Sequence, residues 1–314
     1  MHLCVQTGNV VDVFGFERGY AMIREAGFTA IDWNLDHAWK GADIKSGKSE
    51  NYLGKCIFEK PLDEVIAHYA EEVEVIRKNG LVISQAHAPF PAYVPGHPEV
   101  LEYAIGVYKR NIEFCDYVGC KHLVVHGISL PISDRGNTPA DIDALNMHLY
   151  ESLIPTLLAC KTTRVCLENL FTGNGRDFVE GTCSDPHQAV SYIDALNAKA
   201  GKDVFGLCLD TGHLNLLRKN LRTYIPIVGK RIIALHIHDN DQTADQHMGP
   251  YTGTINWQDF YTTLHDIGYD GDLDFETFRQ TDAGKLDKNP ELVSLWLRTI
   301  AGCGAYFRDK IQGK

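Results

Sequence analysis

The sequence has no C-x-x-C pair, although it holds nine cysteines, an odd number scattered along 314 residues. Cys166 and Cys208 sit inside apolar, strand-like runs, where a thiol packs as a small hydrophobe. A reduced, cytoplasmic chain is expected. Long hydrophobic runs are also missing. No stretch of about 18 apolar residues occurs, and the start MHLCVQTGNV lacks the basic segment and apolar run of a signal peptide, so neither a membrane span nor Sec export is expected. Positive charge is scarce: 30 Lys and Arg against 41 Asp and Glu give a formal net charge of −11. Such a balance supplies no general attraction for a phosphate backbone or an anionic membrane. A small-molecule partner is favoured over nucleic acid or lipid. Finally, no G-x-G-x-x-G follows the first strand-like run and no P-loop lysine motif is present, which removes the usual phosphate loops of an open doubly wound sheet.

What is present is a repeated unit. Short β-rich runs alternate with longer segments of helical period, the pattern of parallel strands joined by helical crossovers. Strands are expected near 2–6, 30–34, 81–87, 122–126, 164–168, 204–210, 232–238 and 272–276. Helices are expected near 16–26, 62–79, 98–118, 138–161, 185–200, 220–228, 256–267 and 290–307, several stopped by glycine at Gly27, Gly80, Gly119 and Gly268. With 44% hydrophobic residues the chain can bury one sizeable core. A single (β/α)8 TIM barrel over residues 1–314 is the expected α/β fold. Two connections are long for it, 35–61 and 170–184, and long barrel loops serve as lids or substrate walls, or as surface insertions.

Ligand-type residues recur at strand ends, where this barrel gathers its active site: His87 (ISQAHAPF), His126 (LVVHG), Glu168 (VCLENL), Asp210 (LCLDTGH), His238 (LHIHDND) and Glu276 (LDFET). One histidine after an apolar strand is more often structural than functional; six residues in register are not easily a coincidence. Glu168, Asp210 and Glu276 each end an apolar run, and a carboxylate facing a barrel mouth needs a cation or donors to offset its desolvation. Three carboxylates with one imidazole make a mostly hard set that suits Mn2+, Mg2+ or Co2+, with Mn2+ preferred and Zn2+ retained. His236 and His238 share a face; His238, nearer the strand end, is the expected ligand and His236 a buried supporting residue. Asp210 and His213 are three apart across a strand-to-loop turn, so His213 reads either as a substrate or second-metal contact or as a loop residue.

With these residues assembled, the chain resembles the xylose-isomerase-like TIM barrel superfamily and its sugar-phosphate isomerase/epimerase group. The likeness runs from GFERGYAMIREAGFTAIDW through HAPF, LENL, LDTGH and HIHDND to GTINW and DFET. It implies a divalent metal on Glu168, Asp210, His238 and Glu276, acting as a Lewis acid on a sugar carbonyl and neighbouring hydroxyl. Glu168 and Glu276 would exchange the carbon-bound proton. Return to the same carbon from the opposite face epimerises; return to the adjacent carbon isomerises. The resemblance gives His213 a contact with the reacting end of the sugar and leaves His87 and His126 as further substrate contacts. Trp39, in the long loop, is the candidate apolar wall, whereas Trp33 and Trp257 read as core. Two departures weaken a ketohexose 3-epimerase assignment: Asn174 stands where that group has an acidic residue, and Ala244 where it has arginine.

The apurinic endonucleases of the same superfamily hold three zinc ions, and their nine ligands find matching residue types at His87, His126, Glu168, Asp210, His213, His238, Asp245, His247 and Glu276. Asp245 and His247 are therefore candidate ligands of additional metals. Net acidity, the lack of a Lys/Arg stripe and Tyr251 in place of glycine argue for sugar chemistry over phosphodiester cleavage. Other branches dehydrate inositol ketones or cleave C-linked glycosides on the same metal core, and fold analogy does not separate them. The expectation is an enzyme for a sugar or polyol, with a homo-oligomer compatible with the sequence.

Overall fold

The computed structural model describes residues 1–132 and 137–314. Among these, eight strands alternate with helices along the chain: β1 (Leu3–Gln6), β2 (Ala30–Asn34), β3 (Val82–His87), β4 (His122–Val124), β5 (Arg164–Glu168), β6 (Phe205–Asp210), β7 (Ile232–His236) and β8 (Leu273–Phe275). This is the element order expected of a (β/α)8 chain. The strands are near-continuously buried, as β1 and β6 are at every position, the mark of parallel strands covered on both faces. Helix starts carry proline in the first turn at Pro98, Pro139, Pro186 and Pro290, where a missing N–H costs nothing. No helix among the described residues is long and apolar enough to cross a membrane.

The chain divides into two compact units, Met1–Trp33 with Glu71–Ser84 and Cys208–Lys314, and Asn34–Ala70 with Gln85–Leu207. In the first, β1 pairs in parallel with β2 (Cys4↔Ala30, Gln6↔Asp32) and with β8 (Cys4↔Asp274, Val5↔Phe275), and Ile237, just past β7, bridges to Phe275. Its core is aromatic, with Trp257 stacked on Phe307 at 5.2 Å. Tyr20 and Trp33 both donate to the buried Glu72 carboxylate, at 2.5 and 3.0 Å; Trp33 is thus a core residue.

In the second unit β4 pairs in parallel with β3 and β5 (His87↔Val124, Val124↔Cys166). Asn146 closes the turn after β4, accepting from Ile128 N at 2.8 Å and donating to Ile128 O at 2.9 Å. The connection 35–61 folds into short helices, Gly41–Lys45 and Ser49–Tyr52. Most of 170–184 becomes a hairpin, Phe171–Gly173 against Phe178–Glu180, whose two phenylalanines meet edge to face.

Three helix boundaries differ from the sequence expectation. The first helix, Val10–Glu25, begins earlier and carries a kink at Gly15, whose φ of 75° interrupts the helical run. The stretch 138–161 is two helices, Pro139–Glu151 and Ile154–Ala159, with Pro155 opening the second. A helix at Thr211–Leu216 was not expected, because its N-cap, Asp210, also ends β6.

Candidate metal centre

In the first unit the strand ends of β6, β7 and β8 bring ligand groups together. Asp210 caps the short helix that follows it: Oδ1 accepts from His213 N at 2.6 Å, while Oδ2 lies 3.0 Å from His238 Nε2. Both side chains are fully buried. His213 Nδ1 is 3.6 Å from Asp210, and its Nε2 is 3.6 Å from Asp245 Oδ2. Asp245 continues to His247 Nε2 at 2.8 Å, and His247 Nδ1 reaches Glu276 Oε2 at 3.3 Å. The result is a chain of alternating carboxylates and imidazoles. Asp210, His213 and His238 offer one ligand atom each within 4.8 Å of one another, and so do His238, Asp245 and His247.

Local sequence explains the assembly. The glycine of LDTGH is required because a Cβ on Gly212 would meet His238 Cε1 at 2.0 Å. Thr211 Oγ1 donates to His238 O at 2.8 Å, and Asn240 Nδ2 donates to Gly212 O at 2.8 Å, locking the turn after β6 to the end of β7. In HIHDND, Asp239 accepts from Trp257 Nε1 at 3.0 Å and from Ile255 N at 3.3 Å, which fixes the GTINW segment. Trp257 therefore serves the core. Gly253 is likewise fixed, since a Cβ there would meet Asn240 O at 2.2 Å. His247 holds a left-handed φ of 45°, a strained conformation for a ligand-type residue that an Asp239–Met248 backbone bridge braces.

The electrostatics fit a cation-binding cluster. Burial opposes charge on Asp245, yet hydrogen bonds from His213 and His247 and the positive charge of His213 hold its carboxyl well below the usual range. Burial also opposes charge on Glu276, but the imidazoles of His236 and His247 hold it down. His247 is driven well above an ordinary histidine, its burial outweighed by Glu276 and Asp245. His238 Nδ1 and Asp245 Oδ1 are buried without a hydrogen-bond partner, and His238 and His247 stack face to face at 4.2 Å. Orphaned ligand atoms among mixed carboxylates and imidazoles fit a divalent ion. His236, read as a supporting residue, is fully buried, with Nδ1 3.7 Å from Glu276 and Nε2 3.4 Å from Asp32.

In the second unit His87, His126 and Glu168 form a trio within 4.8 Å. His126 Nε2 lies 2.8 Å from Glu168 Oε2 and 3.0 Å from His87 Nε2. His87 Nδ1 faces Ala88 O at 2.8 Å, so the proton belongs on Nδ1 and the Nε2 lone pair points at its neighbours. Two imidazole nitrogens and a carboxylate this close together could hold a metal ion.

Trp39 is buried, its Nε1 donating to Phe90 O at 2.9 Å and its ring stacked on Tyr103 at 5.7 Å. Phe90 itself is exposed and lies on His126 at 4.4 Å. In the first unit Phe278 covers His247 at 4.3 Å. Sequence reasoning passed over both, although each sits two or three residues beyond a strand-end ligand, in HAPF and ETF.

Residues 20–300 match the family described as "Xylose isomerase-like TIM barrel". The chain belongs to that family. Its fold is accordingly the (β/α)8 TIM barrel that the alternation of elements led us to expect. Among relatives of this xylose isomerase-like barrel, an uncharacterised protein of Sinorhizobium fredii is 24% identical over 84% of this chain and 81% of its own length. A probable endonuclease 4 of Metamycoplasma arthritidis is 25% identical, covering 77% and 84%. Among solved structures, a D-tagatose 3-epimerase-like protein aligns at a TM-score of 0.65 with 21% identity, over 96% and 98% of the two chains. A putative xylose isomerase from Rhodospirillum rubrum gives 0.71 with 16% identity, over 96% and 97%.

Proposed function

We propose that this protein is a divalent-metal-dependent isomerase or epimerase of a sugar or polyol, working in the cytoplasm. The metal would be held by Glu168, Asp210, His238 and Glu276, with Mn2+ preferred. The observation that carries the reading is the buried Asp210–His238 pair with its orphaned imidazole nitrogen, beside an ionised Glu276. Further support comes from an inosose isomerase of Bacillus licheniformis, 23% identical over 68% of this chain, and from the sugar epimerases among the similar solved structures.

A divalent ion bound there supplies Lewis-acid polarisation of a carbonyl and its neighbouring hydroxyl. The residues supply the rest. Glu276, held in its carboxylate form, is suited to take a proton from carbon, and Glu168 is its partner for the return. His213, whose backbone N–H is fixed by Asp210, would contact substrate oxygens. Glu276→Gln is expected to cut kcat by about 1000-fold with an unchanged circular dichroism spectrum. Full activity in that variant would refute the acid/base assignment.

A second reading is supported by one observation: ligand-type residues fall into trios, His87, His126 and Glu168, then Asp210, His213 and His238, then His238, Asp245 and His247. Such a set suits several zinc ions activating water at a phosphodiester, and two relatives are probable endonucleases 4. Metals per chain after dialysis against metal-free buffer separate the two. About one Mn, Mg or Co supports the sugar enzyme; close to three Zn, with cleavage of abasic DNA, supports the phosphodiesterase.

A further inference from the structure

Shortly after β6 the sequence runs LLRKNLR, with Arg218, Lys219 and Arg222 inside five positions of a chain whose formal net charge is −11. The short helix Thr211–Leu216 ends there. Arg218 N and Lys219 N donate back to the carbonyls of Asn215 and Leu214, at 2.9 and 2.8 Å, and Arg218 takes a left-handed φ of 56°. Glycine fits such a helix end at no steric cost, whereas a side chain with a Cβ is strained there. The turn sets Arg218 and Lys219 on the wall of a cleft of about 260 Å3 that lies wholly within the first unit.

Thr211, Asn215, Gln242, Thr254 and Ile255 line the same cleft. Its polar wall is held in shape from within: Asn215 Nδ2 donates to Thr254 Oγ1 at 2.9 Å, and Gln242 Nε2 donates to Asn215 Oδ1 at 3.3 Å. Asp259 is the one acidic side chain among the described residues of the lining. Its carboxylate is engaged, since Oδ2 accepts from Asn256 Nδ2 at 3.0 Å and Oδ1 lies 3.6 Å from Arg222 Nη1. Two cationic lining residues against one anionic residue leave the cleft positive in an acidic chain. The metal-centre candidates Asp210, His213, His238 and Glu276 do not line it. It meets them only through the turn after β6, where Thr211 Oγ1 donates to His238 O.

A concave site focuses the field of its own charges, and a guanidinium beside an ammonium is the chemistry that recognises phosphate oxygens. A neutral sugar needs hydroxyls and amides but gains little from two cations. A water takes about 30 Å3 of the liquid, so the cleft has room for a phosphate and a short carbon body. We propose that Arg218 and Lys219 make this cleft a binding site for a phosphate group, free or carried on a small polyol, separate from the metal centre. The site stands independently of the reaction at that centre.

The test is isothermal titration calorimetry of the full chain loaded with Mg2+, using inorganic phosphate, glycerol 3-phosphate and glycerol as probes. At least one phosphate compound should bind once per chain, glycerol should not, and the binding should survive chelation of the Mg2+. Arg218→Gln and Lys219→Gln together should weaken it at least about 10-fold, and each alone should weaken it by less. Arg218 is exposed and Lys219 half-buried, so these variants should keep the Tm of the parent. Tighter binding of glycerol 3-phosphate assigns a phosphorylated polyol, whereas equal or tighter binding of inorganic phosphate assigns the free ion. Binding of neither compound, or undiminished binding in the double variant, would overturn the proposal. So would binding lost on chelation, which would put the phosphate on the metal. No turnover is read, so failure here leaves the metal-dependent sugar chemistry untouched, and failure of that chemistry leaves this binding intact.

Discussion

The two units present metal-ligand chemistry in different ways. In the first, Asp210, His213, Asp245, His247 and Glu276 form a continuous chain of ion pairs, each carboxylate between imidazoles and most of it buried. In the second, His87, His126 and Glu168 form a compact trio under an exposed Phe90. The first arrangement is over-determined, since removing one member leaves others paired. The second depends on three side chains and one orienting carbonyl. Over-determination suits a centre that must keep its geometry through a reaction; a sparse trio with an aromatic cover suits contact with substrate or a single further ion.

The sharpest way to break this contrast is to remove one imidazole from each unit and count metals. His238→Ala should lower divalent-metal affinity more than 100-fold by titration, because His238 is shared by both groupings of the first unit. His126→Ala should leave the count at one per chain if the trio serves substrate. A fall by one whole ion would instead make the trio a metal site and favour the phosphodiesterase.

Gly212→Ala probes the first unit without replacing a ligand. The new methyl would collide with His238, so metal affinity should fall about 10- to 100-fold while far-ultraviolet circular dichroism is retained. A variant that binds metal normally would show that the packing against His238 is slack.

For the second unit, Phe90→Ala should raise KM about 10-fold for the best sugar with little change in kcat, as expected for a wall that binds ground and transition states alike. Metal content should not move. A drop in kcat alone would place Phe90 in the chemistry instead.

The smallest expected effect is on acid stability. Asp245 and Glu276 are held below ordinary carboxylates in the folded state, so they add stability above the unfolded value, about pH 4 to 4.5, and lose it as the pH falls. His247 has the opposite sign: raised in the fold, it adds stability below about pH 6.5 and loses it as the pH climbs through its raised value. Unfolding midpoints of metal-free protein should therefore fall on the acid side, and Glu276→Gln should flatten that limb. An unchanged acid limb would contradict the paired state of Glu276.

Most of the strand framework was legible because parallel strands write themselves as apolar runs ended by turn chemistry: β2 and β5 fall on the expected residues, and the others shift by one or two. The missed pieces have physical reasons. Asp210 ends a strand and caps a helix, so a period-based reading assigns it only once. The hairpin at 171–180 hides in a polar, Gly-containing stretch whose pairing rests on Phe171 and Phe178. The ligand-type residues were legible through strand-end position. Their partners were not: that Asp245 links His213 to His247, or that Phe90 rather than Trp39 is the exposed ring, depends on loop geometry that no periodicity encodes.

Solvent-deuterium uptake is the most direct test of the central claim. Purified protein loaded with Mn2+ would be incubated in D2O with a panel of ketoses, aldoses and inosose-type polyol ketones and followed by proton NMR. The account predicts loss of a carbon-bound proton signal next to a carbonyl in at least one of them, abolished by Glu276→Gln. No exchange with any compound, from protein that cleaves abasic DNA, would contradict it.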